Sequence, residues 1–190
     1  RPESFEAARA AWRGGPMSGQ SELYIEGVYG MRFTGRDHAE RMDALLWQGK
    51  GDAASRQLVN LSETDRQLAM ARLSLLRGAR PEMSGLAVPA GAEADPGYTF
   101  NLVKFLRSTG QSGEAARAFT NRPAFNRPAL DPEAFVGELL SLAKATGARD
   151  AAMIAARTDG NRVMWVIYLE IGVAVALVML IVWWTMRGTK

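Results

Sequence analysis

LLWQGKGDAASR, residues 45–56, reads as one helix ending and another beginning. Aliphatic residues close the first helix, Gly49 supplies the turn, and Asp52 followed by Ala53 and Ala54 opens the second. An acidic residue at a helix start caps exposed amides and complements the helix dipole. Small alanines just after it let the second helix lie close against the first. Two further stretches repeat the arrangement, FLRSTGQSGEAARAF at 105–119 and LAKATGARDAAMIAA at 142–156. Asp52 and Glu114 are 62 residues apart, and Glu114 and Asp150 are 36 apart, so the longer interval has room for a degenerate copy. Recurring helix–glycine–helix joints predict stacked helical hairpins, an all-α superhelix or solenoid.

The punctuation on either side agrees. Pro2 and Glu3 open a helix that ends before Gly14-Gly15-Pro16. A second runs from about Ser18 to Met31, with Leu23, Tyr24, Val28 and Met31 at helical spacing. Thr34 caps a third, which carries Met42, Leu45, Leu46 and Trp47 and stops at Gly49. Asp52 begins a short fourth through Val59. Ser62-Glu63-Thr64-Asp65 is a capping-box variant before the apolar run Leu68 to Leu76, with Gly78 as the stop. Residues 80–94, with Pro81, Gly85, Pro89 and Gly91, read as loop with room for one short helix. Asp95-Pro96 starts a helix through Arg107, and Ser112 to Phe119 is the next. Residues 121–130, with Pro123 and Pro128, are an extended connection. Asp131-Pro132-Glu133 starts a helix ending at Gly147, and Asp150 to Arg157 is the last before the composition changes. No strand-like alternation appears.

Beyond Gly160 the chain becomes apolar. VMWVIYLEIGVAVALVMLIVWWTM (163–186) holds twenty-four residues and one charge, Glu170. About twenty apolar residues of helix cross a hydrocarbon core of ~30 Å. Trp165 and Tyr168 at one end, and Trp183 and Trp184 at the other, have the spacing of residues at two membrane interfaces. The expectation is an all-α helical-hairpin superhelix over 1–157, a linker at 158–162, one C-terminal transmembrane helix at 163–186 and a short tail at 187–190. Glu170 lies five residues, about 7.5 Å, inside Trp165. It reads either as a polar contact to a partner subunit or proton-linked group, or as a side chain that snorkels or is protonated. Gly172 and Ala176 form a small-xxx-small pair, with Tyr168 one turn before them, which suits close approach of a partner helix. Arg157 and Arg162 before the span balance Arg187 and Lys190 after it, so charge does not orient it.

Composition narrows the function classes. The 190 residues carry a formal charge of +3, too little to argue for a polyanion partner, and nucleic acid is not expected. Lysine occurs only at Lys50, Lys104, Lys144 and Lys190, while arginine is abundant, a bias typical of GC-rich coding more than of a nucleic-acid surface. With no cysteine, disulfides, thiolate metal sites and cysteine nucleophiles are excluded. The chain opens at Arg1, which leaves room for a cleaved or missing leader.

No catalytic constellation emerges, and no cofactor or metal is expected. Asp37 and His38, the lone histidine, are adjacent, but neighbours at i and i+1 face different sides of a helix. A histidine used in hairpin packing is the favoured reading. The glycine stretches GGPMSGQ (14–20) and GAEADPG (91–97) lack the strand and lysine of a phosphate loop and read as turns. Trp12, Tyr24, Tyr29, Phe33 and Trp47 could stack on sugars; at helical spacing, hairpin core is favoured. Acidic residues sit at caps or beside arginines, with no pair set for glycoside chemistry.

The block FTGRDHAERMDALLWQGKGDAASRQL (33–58), followed by DRQLAMARLSLL (65–76), resembles the N-terminal helical region of the soluble lytic transglycosylase family, as found in alphaproteobacterial members. DPGYTFNLVKFLRSTGQSGEAARAF (95–119) and DPEAFVGELLSLAKATG (131–147) fit the same region in order. The resemblance covers about residues 1–157. It implies a curved solenoid, cell-wall association and a periplasmic location. In the family that solenoid stands beside a lysozyme-like domain that cleaves the glycan with one acidic residue. No Glu-Ser motif of that kind follows Arg157 here, so activity is not implied. The expected function is a noncatalytic, membrane-anchored scaffold or adaptor associated with peptidoglycan, single-pass in a bacterial inner membrane. The rival expectation is an accessory single-span subunit of a respiratory or photosynthetic complex. Expected partners are membrane lipid, protein subunits within the membrane, and peptidoglycan.

Overall fold

The computed structural model describes residues 2–158, and every regular element among them is helical. In chain order these are α1 (Pro2–Arg13), α2 (Gly19–Tyr29), α3 (Gly35–Trp47), α4 (Gly51–Gln57) and α5 (Glu63–Leu76). Then come α6 (Pro96–Ser108), α7 (Ser112–Asn121), α8 (Pro132–Ala145) and α9 (Ala148–Thr158). Short 3₁₀ turns at Glu82–Ser84 and Ala92–Ala94 occupy the stretch expected to be mostly loop.

The starts of these helices are chemically local. The side chains of Ser18, Thr34, Ser62, Asp95 and Asp131 each accept from the amide three residues on. Such caps are each worth about 0.5–2 kcal/mol against alanine. The helix ends at the first two joints share one geometry. Gly49 at φ 69° and Gly110 at φ 78° take the left-handed conformation that a side chain disfavours. The next amides, Lys50 and Gln111, reach back to the carbonyls of Leu45 and Leu106 at 2.8 Å each. That six-to-one bond satisfies a carbonyl the helix leaves open. Gly78 closes α5 in the same way, with Ala79 N donating to Ser74 O at 3.0 Å.

Alanines make the close approach at both joints. Ala54, Ala115 and Ala116 are fully buried where α4 meets α3 and where α7 meets α6. The third joint departs from its sequence likeness. α8 stops at Ala145, Thr146 is extended, and the Gly147 carbonyl accepts from Ala151 N at 3.0 Å. Gly147 therefore begins α9 rather than ending α8.

Two hydrophobic clusters hold the array. Met42, Leu45, Leu46, Leu61 and Leu73 knit α3, α4 and α5. A larger one runs from Trp47 through Phe100, Val103 and Leu106 to Phe119, Phe135, Leu142 and Ile154. Trp47 stacks on Phe100 with centroids 4.5 Å apart, and Phe135 meets Trp47, Phe100 and Phe119 edge-on. α6 is central, packing on α5, α7 and α8.

One expectation needs correction. The transmembrane element fails on the described residues, among which no helix is long and apolar enough to cross a membrane. Nothing among these residues supports the membrane-anchored, single-pass reading. The segment 163–186 itself lies outside the described residues. α2 forms where expected, ending at Tyr29 with Met31 in the 3₁₀ turn Gly30–Arg32, but the helical spacing of Leu23, Tyr24, Val28 and Met31 does not bury them. All four are exposed and α2 buries none of its residues. It is tied to the body by packing against α1, with Tyr29 on Phe5, and by Glu22, which pairs with Arg41 at 3.4 Å and Arg56 at 3.0 Å.

Candidate functional site

Asp37 stands at the third position of α3 and is fully buried. It accepts from the Thr34 amide and hydroxyl at 2.7 Å each, from Arg9 Nε at 2.7 Å and from Arg13 Nε at 2.6 Å. Burial alone would raise its pKa, but the bonds from Arg9, Thr34 and Arg13 outweigh it and hold the carboxyl well below the usual range. Glu138 on α8 is gripped by both nitrogens of the Arg107 fork. Among the described residues, every buried carboxylate is paired with arginine.

The most connected group lies between α3, α5 and α6. Arg72, 3% exposed, donates to Asp43 Oδ1 at 2.6 Å and to Asn101 Oδ1 at 2.9 Å. Arg127, from the segment between α7 and α8, donates to Asp43 Oδ2 at 2.5 Å and to Asp95 Oδ2 at 2.9 Å. Asp95 is also the cap of α6. Burial pushes the Asp43 carboxyl up, while Arg127 and Arg72 pull it down further, so it stays ionised. The Arg72 guanidinium lies on the backbone of Gly97, where a Cβ would sit 2.5 Å from its Cζ. Because Asp43 and Asn101 fix that guanidinium, Gly97→Ala is expected to cost about 1–3 kcal/mol through overpacking. A urea titration followed by circular dichroism reads this; an unchanged midpoint would show that Arg72 moves freely.

The residues singled out in the sequence scatter. His38 packs edge-on against Trp12 and Phe33, and its Nδ1 is 2.9 Å from Gln57 Nε2. Burial lowers its pKa, against a raising influence from Asp37. It is a packing histidine. Trp12 and Trp47 are buried, Phe33 stacks on Trp12 at 4.9 Å and Tyr29 tilts against Phe5. Of that aromatic set only Tyr24 is exposed. Among the described residues no cluster of acidic and histidine side chains could hold a metal ion. Trp165, Tyr168, Glu170, Gly172, Ala176, Trp183 and Trp184 all lie outside the described residues, so no partner-helix or interface contact is assigned to them.

Residues 121–130 read NRPAF NRPAL, a tandem pentapeptide. Its two arginines meet opposite fates, Arg127 in the ion network and Arg122 on aromatic rings. The Arg122 Cζ lies 3.5 Å from the Phe125 centroid and 4.7 Å from that of Phe119. Beside them opens a groove of about 560 Å³, lined by Phe119, Phe125, Phe135, Val136 and Leu139, with Arg122 and Arg157 at its edge. The repeated Arg-Pro pair was the available signal: proline holds the chain extended and leaves the arginine free to reach sideways. Comparisons with protein-family models, curated proteins and solved structures find no match to this chain.

Proposed function

We propose that this helical array is a noncatalytic scaffold or adaptor that associates with peptidoglycan on the periplasmic side. The observation that carries the scaffold reading is the pairing of every buried carboxylate, among the described residues, with arginine. A glycosidase acid needs a carboxyl whose pKa is raised, and those of Asp37 and Asp43 are shifted the opposite way. Hairpins locked by such pairs form a rigid surface on which a partner can lie. The choice of peptidoglycan rests on the resemblance of residues 33–76 to the noncatalytic helical region of the transglycosylases.

The test is sedimentation of the purified chain with purified sacculi. The expected result is retention in the pellet, with no anhydro-sugar released into the supernatant. A chain left wholly in the supernatant would remove the cell-wall association. Release of anhydro-sugars would remove the noncatalytic reading.

A further inference from the structure

The groove beside the tandem pentapeptide combines positive charge with apolar surface. Among the described residues its lining includes no Asp or Glu. A volume of about 560 Å³ lies within the ordinary range for ligand pockets. Arg122 is half-buried, and its Nη1 donates to the Pro123 carbonyl at 2.9 Å. Its Nε is buried and donates to no acceptor among the described residues. Arg157 gives one Nη2 bond to the Arg122 carbonyl at 2.7 Å and makes no ion pair among the described residues. Burial first, and then the charge of Arg157, pull the Arg122 pKa down to about 10. The ring faces of Phe119 and Phe125 offset only part of that cost. Arg127, five residues along, shows the alternative, since two aspartates saturate it.

We propose that this groove binds an acidic peptide segment, its carboxylate held between Arg122 and Arg157 and a neighbouring apolar side chain seated against Phe119, Phe125 and Phe135. The inference goes beyond the scaffold reading and rests on the groove alone. Guanidinium groups bind planar carboxylates through paired charge-assisted bonds, and those of Arg122 and Arg157 line this groove. The groove wall points to a peptide. Residues 123–125 lie outside any helix, and the amides of Ala124 and Phe125 donate to no acceptor among the described residues. A bound peptide can pair its backbone with one of these groups while its side chains enter the apolar floor.

The experiment is a fluorescence-anisotropy titration of the full chain against a fluorescein-labelled peptide, Gly-Ser-Leu-Phe-Glu-Gly-Ser. The control peptide carries Gln in place of Glu. Saturable binding is expected, about tenfold weaker for the Gln peptide, as loss of a charge-assisted bond implies. Arg122→Lys keeps the charge and loses the fork, and should weaken binding several-fold. Arg157→Gln alters an exposed side chain that bonds the body only through the Arg122 carbonyl among the described residues, and should weaken binding comparably with an unchanged circular dichroism spectrum. Equal affinity for the two peptides, no effect of Arg157→Gln, or no saturable binding overturns the proposal. Decanoate binding as tightly as the peptide also overturns it, making the groove a site for lipid carboxylates. Sacculus retention is read separately, so loss of either result leaves the other standing.

Discussion

Asp43→Ala will lower the folding stability by about 3–5 kcal/mol, the cost of removing one partner from a buried ion pair. Asp43 accepts from Arg72 on one oxygen and from Arg127 on the other, and Arg72 has almost no access to water. Without the aspartate, Arg72 keeps Asn101 at 2.9 Å and a distant Asp95 at 4.0 Å, too little to replace a full negative charge. The measurement is the urea midpoint at pH 7, with the slope of the transition as a check that the denatured state is unaltered. A loss below about 1 kcal/mol would mean that water reaches the pair and screens it, as at exposed sites. The companion variant Asp43→Leu with Arg72→Met should recover much of the loss, because well-packed apolar replacements often equal a buried pair.

Asp37→Ala is the second large effect, expected at about 2–3 kcal/mol from the lost cap and the lost charge-assisted bonds. Arg9 and Arg13 remain partly exposed and regain water, which keeps the cost below that at Asp43. The same residue makes stability depend on pH. Its folded pKa is depressed from the ordinary 3.8, so the stabilisation is complete above that value and shrinks as pH falls below it. Urea midpoints of the native chain and of Asp37→Ala should therefore differ most near neutrality and converge in strong acid. A gap that persists unchanged at pH 2 would assign the effect to packing rather than to charge.

The sequence makes legible what neighbouring residues decide among themselves. Thr34, Ser62, Asp95 and Asp131 start their helices because a short acceptor side chain reaches an amide three residues away. Gly49 and Gly110 end theirs because a glycine tolerates positive φ. The third joint shows the limit of that logic. GARDAA resembles the other two, but Thr146 goes extended first and Gly147 passes to the next helix. The exposure of α2 was hidden because helical spacing says which residues share a face and not whether anything covers it. The ion network was hidden for another reason. Asp43 and Arg127 are 84 residues apart, and only the folded path of the chain brings them together. Arg122 and Arg127 are the sharpest case, since near-identical pentapeptides place one on aromatics and the other on aspartates.

The bond from Arg127 to Asp43 reaches well beyond the energy of one contact. In a row of hairpins, each resting on its neighbour, either end can fray while the other stays folded. This bond closes a loop that encloses α4 through α7, and it ties the segment before α8 back to α3. Opening of α3 or of the segment before α8 must then disturb what lies between them, so α3 through α7 are expected to exchange their amides as one foldon instead of a series of small ones. One arginine in a proline-held segment thus acts as a latch that turns a sum of local stabilities into a shared threshold.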